Sequence, residues 1–426
     1  MKTKITFLAL FLSCMFALHT QAAELTANST NISTVYVDAS NGDVILLDEG
    51  SYNYGFPIQE SKIITIRKNP AAATVPVITA QLTDPTGDNG GLIFDGVKFN
   101  RSSSMANGDY VMNLSNTMQR PISTLQFKNC EMTGFGRSLI RTQGAALATA
   151  TIGSIVIDNC LIHDTGNSYA FIVTNHIVGS LSVTNSTLYN YGGERFFAPG
   201  NTTQADFTLN FVNNTVYKWS KASYNFIDVA AKFSSNSVYN IKDNIFNQIY
   251  SGTKGSHYII NCTNGGTLNA ANNLSVDFFG YNFTGAGAVI NNSDLTLDLG
   301  VLAGITSIPF ADAANYNFDI LSSSALATAS STGGIIGDPQ WLKSISTQLK
   351  NNVALNAFAV ANANGQILIN SSLKNGKATI YTLMGQKLEE LTLATSTTMT
   401  KKYNSGIYLV QFEEAGRVST QKVNVK

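Results

Sequence analysis

A six-residue pattern of apolar and polar positions occurs seven times between residues 94 and 275. An apolar side chain opens each copy, and the third position is Gly, Asn or Asp every time. The copies are FDGVKF from 94, FKNCEM from 127, IDNCLI from 157, VTNSTL from 183, FVNNTV from 211, IKDNIF from 241 and the weaker AANNLS from 270. An internal repeat of this kind predicts a fold built from stacked, equivalent units.

The third positions lie 33, 30, 26, 28, 30 and 29 residues apart. This spacing is too irregular for a helical solenoid and suits coils of three short strands joined by loops of variable length. Gly, Asn and Asp tolerate a left-handed backbone, so we expect a sharp bend between two strands at each of them. Stacking would align the bends in a column of hydrogen-bonded amides about 4.8 Å apart. We therefore predict an all-β chain containing a right-handed parallel β-helix.

The alternation of the repeat also assigns the inner face of the coils. It predicts burial of Phe127, Met132, Ile157, Ile162, Val183, Leu188, Phe211 and Val216. Residues 35–79, with apolar runs at 35–37, 44–47, 63–66 and 75–78, read as the first coils or as an N-terminal cap. Residues 316–341 read as the segment that closes the β-helix.

The two ends of the chain differ from the repeat. After a linker near 343–352 come five or more short strands with Gly or Asn-Gly turns, which predict a small immunoglobulin-like β-sandwich. At the start, Lys2 and Lys4 precede an apolar run over 5–18 and small residues up to Ala23. The run is shorter than the roughly 20 residues of a transmembrane helix. We predict a signal peptide over 1–23, the β-helix over 24–343, the sandwich over 344–426 and no transmembrane segment.

Charge narrows the class of partner. Lys and Arg balance Asp and Glu at 27 each, yet residues 24–343 hold 16 basic and 23 acidic residues, whereas 344–426 hold 9 and 4. Nucleic-acid binding depends on clustered Lys and Arg. An acidic body without a basic stripe therefore argues against nucleic acid as the partner.

Three cysteines remain once the signal peptide is removed: Cys130, Cys160 and Cys262. Cys130 and Cys160 occupy the same position of successive repeats, which fits either a disulfide or stacked buried thiols, and we expect the thiols. No Cys or His stands at ligand spacing from another, so we expect no metal site and no cofactor. Calcium stays an open alternative, although the sequence presents no recognisable ligand cluster.

Function is expected on an outward strip, where equivalent side chains of successive coils lie one strand spacing apart. The strands that open the coils align on the pairs at 139–140, 171–172, 196–197, 226–227 and 259–260. Two residues before these pairs stand Arg137, Tyr169, Glu194, Tyr224 and His257. Directly after the pairs stand Arg141, Val173, Ala198, Asp228 and Asn261. Arg195 and Lys221 are close by in sequence.

This mixture of rings and charges suits a sugar polymer. Aromatic rings cover the apolar face of a pyranose, while Arg, Glu and Asp bind its hydroxyl or carboxylate groups. We predict substrate binding by Arg137, Arg141, Tyr169, Glu194, Arg195 and Tyr224. The catalytic candidates are Arg137, Glu194, Lys221, Asp228 and His257.

Structural interpretations compete with this prediction. A tyrosine row on a β-helix is often a packing ladder, Arg137 would equally satisfy loop carbonyls, and Glu194 with Arg195 would form a surface pair of little energetic weight. A second row, His163, Tyr189 and Tyr217, follows the bend in three adjacent coils and is open to the same interpretation.

Two parts of the chain resemble known families. The asparagine column and the closing segment, which ends in GDPQW at 337–341, resemble the pectin-lyase-like superfamily over residues 35–342, particularly β-helix domains of Bacteroidota polysaccharide-utilisation systems. The motifs IYTLMGQK at 380–387, SGIYLV at 405–410 and QKVNVK at 421–426 resemble a type IX secretion C-terminal sorting domain. The resemblance implies export through the periplasm to the cell surface or the medium, with the type IX machinery as partner. An ordinary carbohydrate-binding sandwich is the alternative for the tail.

The resemblance implies a setting rather than a reaction. Uronate lyases of the superfamily need a cation to neutralise the carboxylate and a base to take a proton, roles open to Arg137, Arg141, Lys221 and His257. For hydrolysis, Glu194 and Asp228 are the only acids on the strip. Our leading hypothesis is an exported monomer that binds an acidic polysaccharide, with lyase cleavage left open. The alternative is a non-catalytic glycan-binding or adhesin-like surface protein.

Overall fold

The computed structural model describes residues 22–101, 109–115, 120–143, 149–166, 169–200, 205–219, 224–247, 258–276, 280–294, 308–343, 358–371, 376–383, 385–394, 396–414 and 417–426. The chain divides into two compact units, Met1–Ser344 and Ile345–Lys426. Nearly all of the expected signal peptide lies outside the described residues.

The first unit contains three parallel sheets of 11, 9 and 7 strands, and from Met112–Leu114 onward successive coils add strands to all three. Sheet 1 contains Glu24–Ala27, Val44–Leu47, Ile63–Lys68, Gly90–Asp95, Ile122–Lys128, Thr151–Asp158, Ile177–Thr184, Thr208–Val212, Val238–Lys242, Thr267–Ala271 and Val289–Ser293. Sheet 2 contains Ser51–Tyr52, Val77–Ile78, Lys98–Asn100, Glu131–Thr133, Leu161–Thr165, Thr187–Tyr191, Thr215–Tyr217, Ile245–Asn247 and Leu274–Val276. Sheet 3 contains Met112–Leu114, Ile140–Thr142, Ile172–Thr174, Phe197–Pro199, Ile227–Ala230, Ile260–Cys262 and Tyr281–Phe283. The predicted parallel β-helix is confirmed.

The bends between sheets 1 and 2 have the predicted backbone. The third residue of all seven repeat copies has a φ between 50° and 70°, from Gly96 to Asn272. A residue with a larger or branched side chain would be strained there, which explains why Gly, Asn and Asp recur. The opening residues of the copies pair in register across sheet 1, Phe94 with Phe127 and Phe127 with Ile157, and the core residues predicted above are buried.

The amide column is more complicated than the repeat suggested. The Nδ2 atom of Asn159 donates to Asn129 Oδ1 at 2.6 Å, but that of Asn185 donates to the Asp158 carboxylate. A better connected column lies one residue further along, inside the β-helix. There Asn214 donates to Asn244 at 3.1 Å and Asn244 donates to Asn273 at 2.8 Å. The earlier coils place the thiols of Cys130 and Cys160 at this inner position, both free and buried, as expected.

The N-terminal region contains a short helix. Residues 35–37, read above as part of the first coils or of an N-terminal cap, belong to the α-helix Ile32–Asp38. Ile32 and Tyr36 are four residues apart, so they share one face of the helix, and both are buried. The ring of Tyr36 packs edge to face on Phe56 at 5.4 Å. Val37 lies outside this face and is 60% exposed.

The closing segment packs on the outer face of sheet 2. It contains the short strands Ile320–Leu321 and Leu342–Lys343 and the 3₁₀ turns Ala313–Asn315, Ala325–Thr328 and Pro339–Trp341. Its buried Leu326 and Ile336 cluster with Ile245 and Leu274, two outward residues of sheet 2. Gly337 adopts a φ of 85° and comes so close to Thr215 that a Cβ atom would lie 2.7 Å from the threonine Oγ1. Glycine is therefore required at the start of the GDPQW motif.

The second unit is built from two antiparallel sheets. One contains Phe358–Ala363, Gln366–Ser371 and Thr397–Lys402, and the other contains Lys387–Leu393, Gly376–Thr382, Gly406–Glu414 and Arg417–Val425 in spatial order. Ile367 and Ile369 from the first sheet share a buried core with Ile380 and Val410 from the second. Two sheets around one core are the expected sandwich arrangement.

Candidate functional site

The three outer faces of the β-helix carry different side chains. The face of sheet 2 is covered by the closing segment from Thr187 onward. The later strands of sheet 1 carry a ladder of amides, in which Asn240 donates to Asn210 and Asn269 donates to Asn240, both at 2.9 Å. Sheet 3 alone among the described faces carries a row of tyrosine, arginine and carboxylate side chains. We call Tyr110, Arg137, Arg141, Tyr169, Glu194, Arg195, Tyr224 and Asp228 the sheet 3 strip.

The strand register supports the alignment of the strip. Arg141 pairs with Val173, Val173 pairs with Ala198, and Asp228 pairs with Asn261. Phe197 pairs with Ile227, which places Asp228 one coil beyond Ala198. Asn113 precedes Arg141 in the same column. Equivalent positions of the coils are therefore neighbours in space, as the prediction required.

A cationic cluster occupies the N-terminal end of the strip. The hydroxyl of Tyr110, a buried residue, accepts hydrogen bonds from Arg137 Nη1 at 2.8 Å and from Arg141 Nη1 at 2.9 Å. One neutral oxygen thus holds two positive side chains together. The Nε atom of Arg137 is buried and has no hydrogen-bond partner among the described residues. A pair of cations held in this way is suited to bind an anion.

Tyr169 lies beside this cluster in a strained conformation. Its ring centroid is 4.9 Å from the guanidinium carbon of Arg137, and the side chain is 38% exposed. Its φ is 81°, an unfavourable value for a residue with a large side chain. Its carbonyl oxygen accepts from the Tyr191 hydroxyl at 2.7 Å and from the Glu194 backbone N–H at 2.8 Å. These bonds hold an exposed aromatic ring at the surface, a form of strain typical of functional positions.

A second cluster follows one coil later. Arg195 donates to Glu194 Oε2 at 3.1 Å and, through Nε, to Asp228 Oδ2 at 3.0 Å. The Tyr224 ring lies 4.3 Å from the guanidinium carbon of Arg195. The other oxygen of Asp228 accepts from Asn261 at 2.8 Å. Since these side chains are about one-fifth to one-third exposed, each ion pair contributes only about 0–1 kcal/mol to stability.

The seven described candidates therefore fall into two clusters. Arg137, Arg141 and Tyr169 form the cationic cluster, and Glu194, Arg195, Tyr224 and Asp228 form the acidic cluster. Lys221 and His257 lie outside the described residues.

Sequence reasoning missed Tyr110 and Tyr191. Extending the strand alignment one coil upstream, to residues 111–112, would have placed Asp109 at the position of Arg137, with Tyr110 next to it, because Met112 pairs with Ile140. Tyr191 carries no comparable signal, since it reads as an ordinary core residue. Burial raises the pKa of Tyr191 well above its usual value, the nearby Glu194 raises it further, and Arg137 opposes this shift. Glu194 of the acidic cluster and Arg137 of the cationic cluster therefore shift the pKa of the same buried hydroxyl in opposite directions.

The row of His163, Tyr189 and Tyr217 is partly covered. Tyr189 stacks on Tyr316 at 4.5 Å, and Phe318 contacts both tyrosines. His163 stacks on the other side of Tyr189 at 5.1 Å. For the two tyrosines, the packing interpretation of this row is the one that the structure supports.

Among the described residues, no group of three or more His, Cys, Asp or Glu has the geometry of a metal site. Glu194 and Asp228 are the carboxylates closest to such a role on the strip, but Arg195 already bonds both of them. Nothing in their arrangement indicates a cation other than the guanidinium.

Comparison with known proteins identifies the tail. Residues 361–426 match the family model described as the secretion system C-terminal sorting domain. The tail is a type IX sorting domain. The prediction for the tail is confirmed, and with it export to the cell surface or the medium. Within the part of the chain that the structure describes, no helix is long and apolar enough to cross a membrane.

The region that precedes the sorting domain was compared with known proteins as well. Comparison with curated protein sequences gives no match. Six chains of solved structures match. One is a PL6 family alginate lyase, AlyGC, which aligns over 65% of this chain and 38% of its own, with 16% identity and a TM-score of 0.43. The present chain thus spans well under two thirds of that enzyme, and likeness at this level transfers neither a site nor a substrate.

Proposed function

We propose that this exported protein binds an acidic polysaccharide along the sheet 3 strip. The observation that carries the proposal is the cationic cluster, in which Arg137 and Arg141 converge on the Tyr110 hydroxyl beside the exposed ring of Tyr169. A guanidinium group binds a carboxylate through parallel N–H groups, and an aromatic ring covers the apolar face of a sugar. Both are present within one coil spacing of each other.

The setting supports a polymer as the ligand. The strip follows the stacking direction of the coils, so it presents a row of binding groups rather than a closed cavity. Adjacent coils are about 4.8 Å apart, which lets successive sugar units meet successive coils. Extracellular polysaccharides are also the polymers that a secreted or surface-exposed protein encounters.

Hydrolysis is poorly supported by the acidic cluster. Glycoside hydrolysis needs one protonated carboxyl and one ionised carboxylate. Glu194 and Asp228 are instead joined through one guanidinium, because both accept hydrogen bonds from Arg195. This arrangement does not distinguish an acid from a base.

Lyase cleavage is a second candidate, favoured by the two convergent guanidinium groups. Neutralising a uronate carboxylate acidifies the adjacent C–H bond, so that a base removes this proton while the glycosidic oxygen on the next carbon leaves. The oxygen then takes a proton, and a carbon–carbon double bond remains at the new chain end. Arg137 and Arg141 would bind the carboxylate, with Lys221 or His257 as the base.

Titration of the full-length secreted protein with polygalacturonate, alginate and chondroitin, and with a neutral galactan as reference, tests the proposal. We expect binding of at least one acidic polymer and a loss of about tenfold in affinity for Arg137→Ala or Arg141→Ala, equal to about 1.4 kcal/mol. Arg67→Ala is the matched control, because it removes an arginine paired with Asp95 on sheet 1.

Ultraviolet absorbance separates binding from cleavage. A lyase would release unsaturated ends that absorb, whereas a capture protein or adhesin would bind without this signal. Equal affinity for acidic and neutral polymers, or the same loss in the Arg67 control as in the Arg137 variant, would refute the proposal.

A further inference from the structure

The sheet 3 strip is divided electrostatically. In the cationic cluster, Arg137 and Arg141 share one neutral acceptor, the Tyr110 hydroxyl. In the acidic cluster, a single guanidinium, that of Arg195, serves two carboxylates. Among the strip residues alone, the cationic cluster has two guanidinium groups and no carboxylate, whereas the acidic cluster has one guanidinium and two carboxylates.

The guanidinium of the acidic cluster is already bound to two carboxylates. Arg195 donates from Nε to Asp228 and from Nη1 to Glu194, and its guanidinium carbon lies 4.3 Å from the Tyr224 ring centroid. A carboxylate arriving here would meet two like charges. A sugar hydroxyl, in contrast, would find two carboxylates that accept hydrogen bonds. The acidic cluster thus fits an uncharged sugar unit.

The register sets the distance between the two halves. Arg141 and Asp228 belong to the same outward column, three coils apart by way of Val173 and Ala198. At about 4.8 Å for each coil, the two side chains start roughly 14 Å apart along the stacking direction. A polysaccharide lying along the strip would therefore reach both halves with different sugar units.

We infer that the strip recognises a heteropolysaccharide in which uronic acid units are separated by neutral sugars. The uronate carboxylate binds at Arg137 and Arg141, and a neutral unit lies over Glu194, Arg195 and Asp228. This inference rests on the proposed function and narrows its substrate class. A polymer with a carboxylate on every unit would place one of them against the acidic cluster.

The test compares three probes on the full-length protein: a homopolyuronate such as polygalacturonate, a polymer in which uronic acid and neutral sugar alternate, and a neutral galactan. We expect the alternating polymer to bind at least tenfold more tightly than the homopolyuronate, because only the latter meets the like charges. The galactan is expected to bind more weakly than the alternating polymer, because it lacks the carboxylate.

Charge removal provides the second arm. Glu194→Gln, alone and combined with Asp228→Asn, is expected to raise the affinity for the homopolyuronate severalfold and to reduce the preference for the alternating polymer. The single variant changes a side chain that is 29% exposed, and circular dichroism verifies its fold. The same change at Glu60, outside the strip, is the matched control.

The outcomes separate the two proposals. If the homopolyuronate binds as tightly as the alternating polymer and Glu194→Gln leaves the ratio unchanged, the inference is wrong while polysaccharide binding stands. If none of the three polymers binds, the proposed function fails and the inference fails with it.

Discussion

Asp338 accepts a 2.6 Å hydrogen bond from the hydroxyl of Thr187, a residue 151 positions earlier in the chain. The same carboxylate accepts from the Gln340 backbone N–H at 3.0 Å, and Trp341 Nε1 donates to the Thr187 hydroxyl at 2.6 Å. This buried network joins the closing segment to sheet 2. Packing of the closing segment therefore covers part of the outer face of sheet 2.

Asp338 should make stability depend on pH. Burial raises the pKa of its carboxyl from 3.8 to about 6, although the bonds from Thr187 and Gln340 oppose the shift. Because the folded state holds the proton more tightly, the free energy of unfolding should fall as pH rises from 3.8 to 6. The full effect is about 3 kcal/mol. Thermal unfolding of Asp338→Asn should lack this dependence, while Asp312→Asn, at an exposed position, should keep it. The difference between the wild-type and Asp338→Asn free energies of unfolding should fall as pH rises. A difference that rises with pH would contradict this account.

His163 should contribute a second pH dependence at higher pH. Burial alone lowers its pKa, but hydrogen bonds to Glu131 and Asp164 outweigh burial and raise the pKa above 6.5. Its contribution is complete below 6.5 and should be lost as pH rises through the raised value. His163→Gln should flatten the unfolding profile on this alkaline side.

His176 provides the matched control for this prediction. Burial lowers the pKa of His176 to about 4, so its contribution should be lost as pH falls from 6.5 towards 4. His176→Gln should therefore change the acid side of the profile and leave the alkaline side unchanged. Flattening of the alkaline side by both variants alike would show that His163 is not the group responsible.

The inner amide column should dominate the stability of the later coils. Asn244 donates to the Phe211 carbonyl and to Asn273, both at 2.8 Å, and accepts from the Asn214 backbone N–H at 2.9 Å. Asn244→Ala would leave these buried groups unpaired, at a cost of about 3 kcal/mol or more in denaturant unfolding. Asn240→Ala, in the half-buried outer ladder, should cost about 1 kcal/mol or less. Similar losses from both would refute the distinction.

Tyr110 should position the arginines rather than contact the ligand, because the residue is only 3% exposed. Tyr110→Phe keeps the ring but removes the common acceptor of Arg137 and Arg141, so affinity for an acidic polysaccharide should fall about tenfold, or 1.4 kcal/mol. Affinity for the neutral galactan should not change. Tyr316→Phe removes a tyrosine hydroxyl from the closing segment, outside the strip, and should leave both affinities intact. An unaltered affinity in Tyr110→Phe would mean that the arginines need no such support.

The sorting domain should be necessary for export but not for ligand binding. A chain ending at residue 343 still begins with the predicted signal peptide, so it should enter the periplasm and remain there, because it lacks the matched segment 361–426. Immunoblots of cell fractions and medium would locate it. The matched control places the tail after an unrelated periplasmic protein, which should then leave the cell. Release of the truncated chain into the medium would contradict the assignment.

Much of the fold could be predicted from local preferences. All seven third positions of the repeat adopt a left-handed backbone, a property of the single residue that needs no knowledge of its neighbours. The alternation of apolar residues placed Phe127, Ile157 and Val183 in the core for a similar reason, because the side-chain period of a strand is two. The sorting domain was recognisable because its motifs occur in a fixed order.

The sequence left open whether residues 35–37 belong to the first coils or to a cap, because alternation and a helical period coincide over a short segment. Ile32 and Tyr36 lie one helical turn apart, and the burial of both decides for a helix. The sequence also did not show that the closing segment covers the outer face of sheet 2. Ile245 and Leu274 pack against apolar residues of that segment, which lie about 50 to 90 positions later in the chain.

The amino-acid sequence by itself determined the stacking of the coils, the order of the strip residues and the route of export. Only the tertiary structure decided which groups those residues bind. Arg195 donates hydrogen bonds to two carboxylates, whereas Arg137 and Arg141 donate to one tyrosine hydroxyl. The bends and the alternation of strand residues follow from the type of each residue. The partner of a long charged side chain depends instead on its rotamer and on every group within its reach.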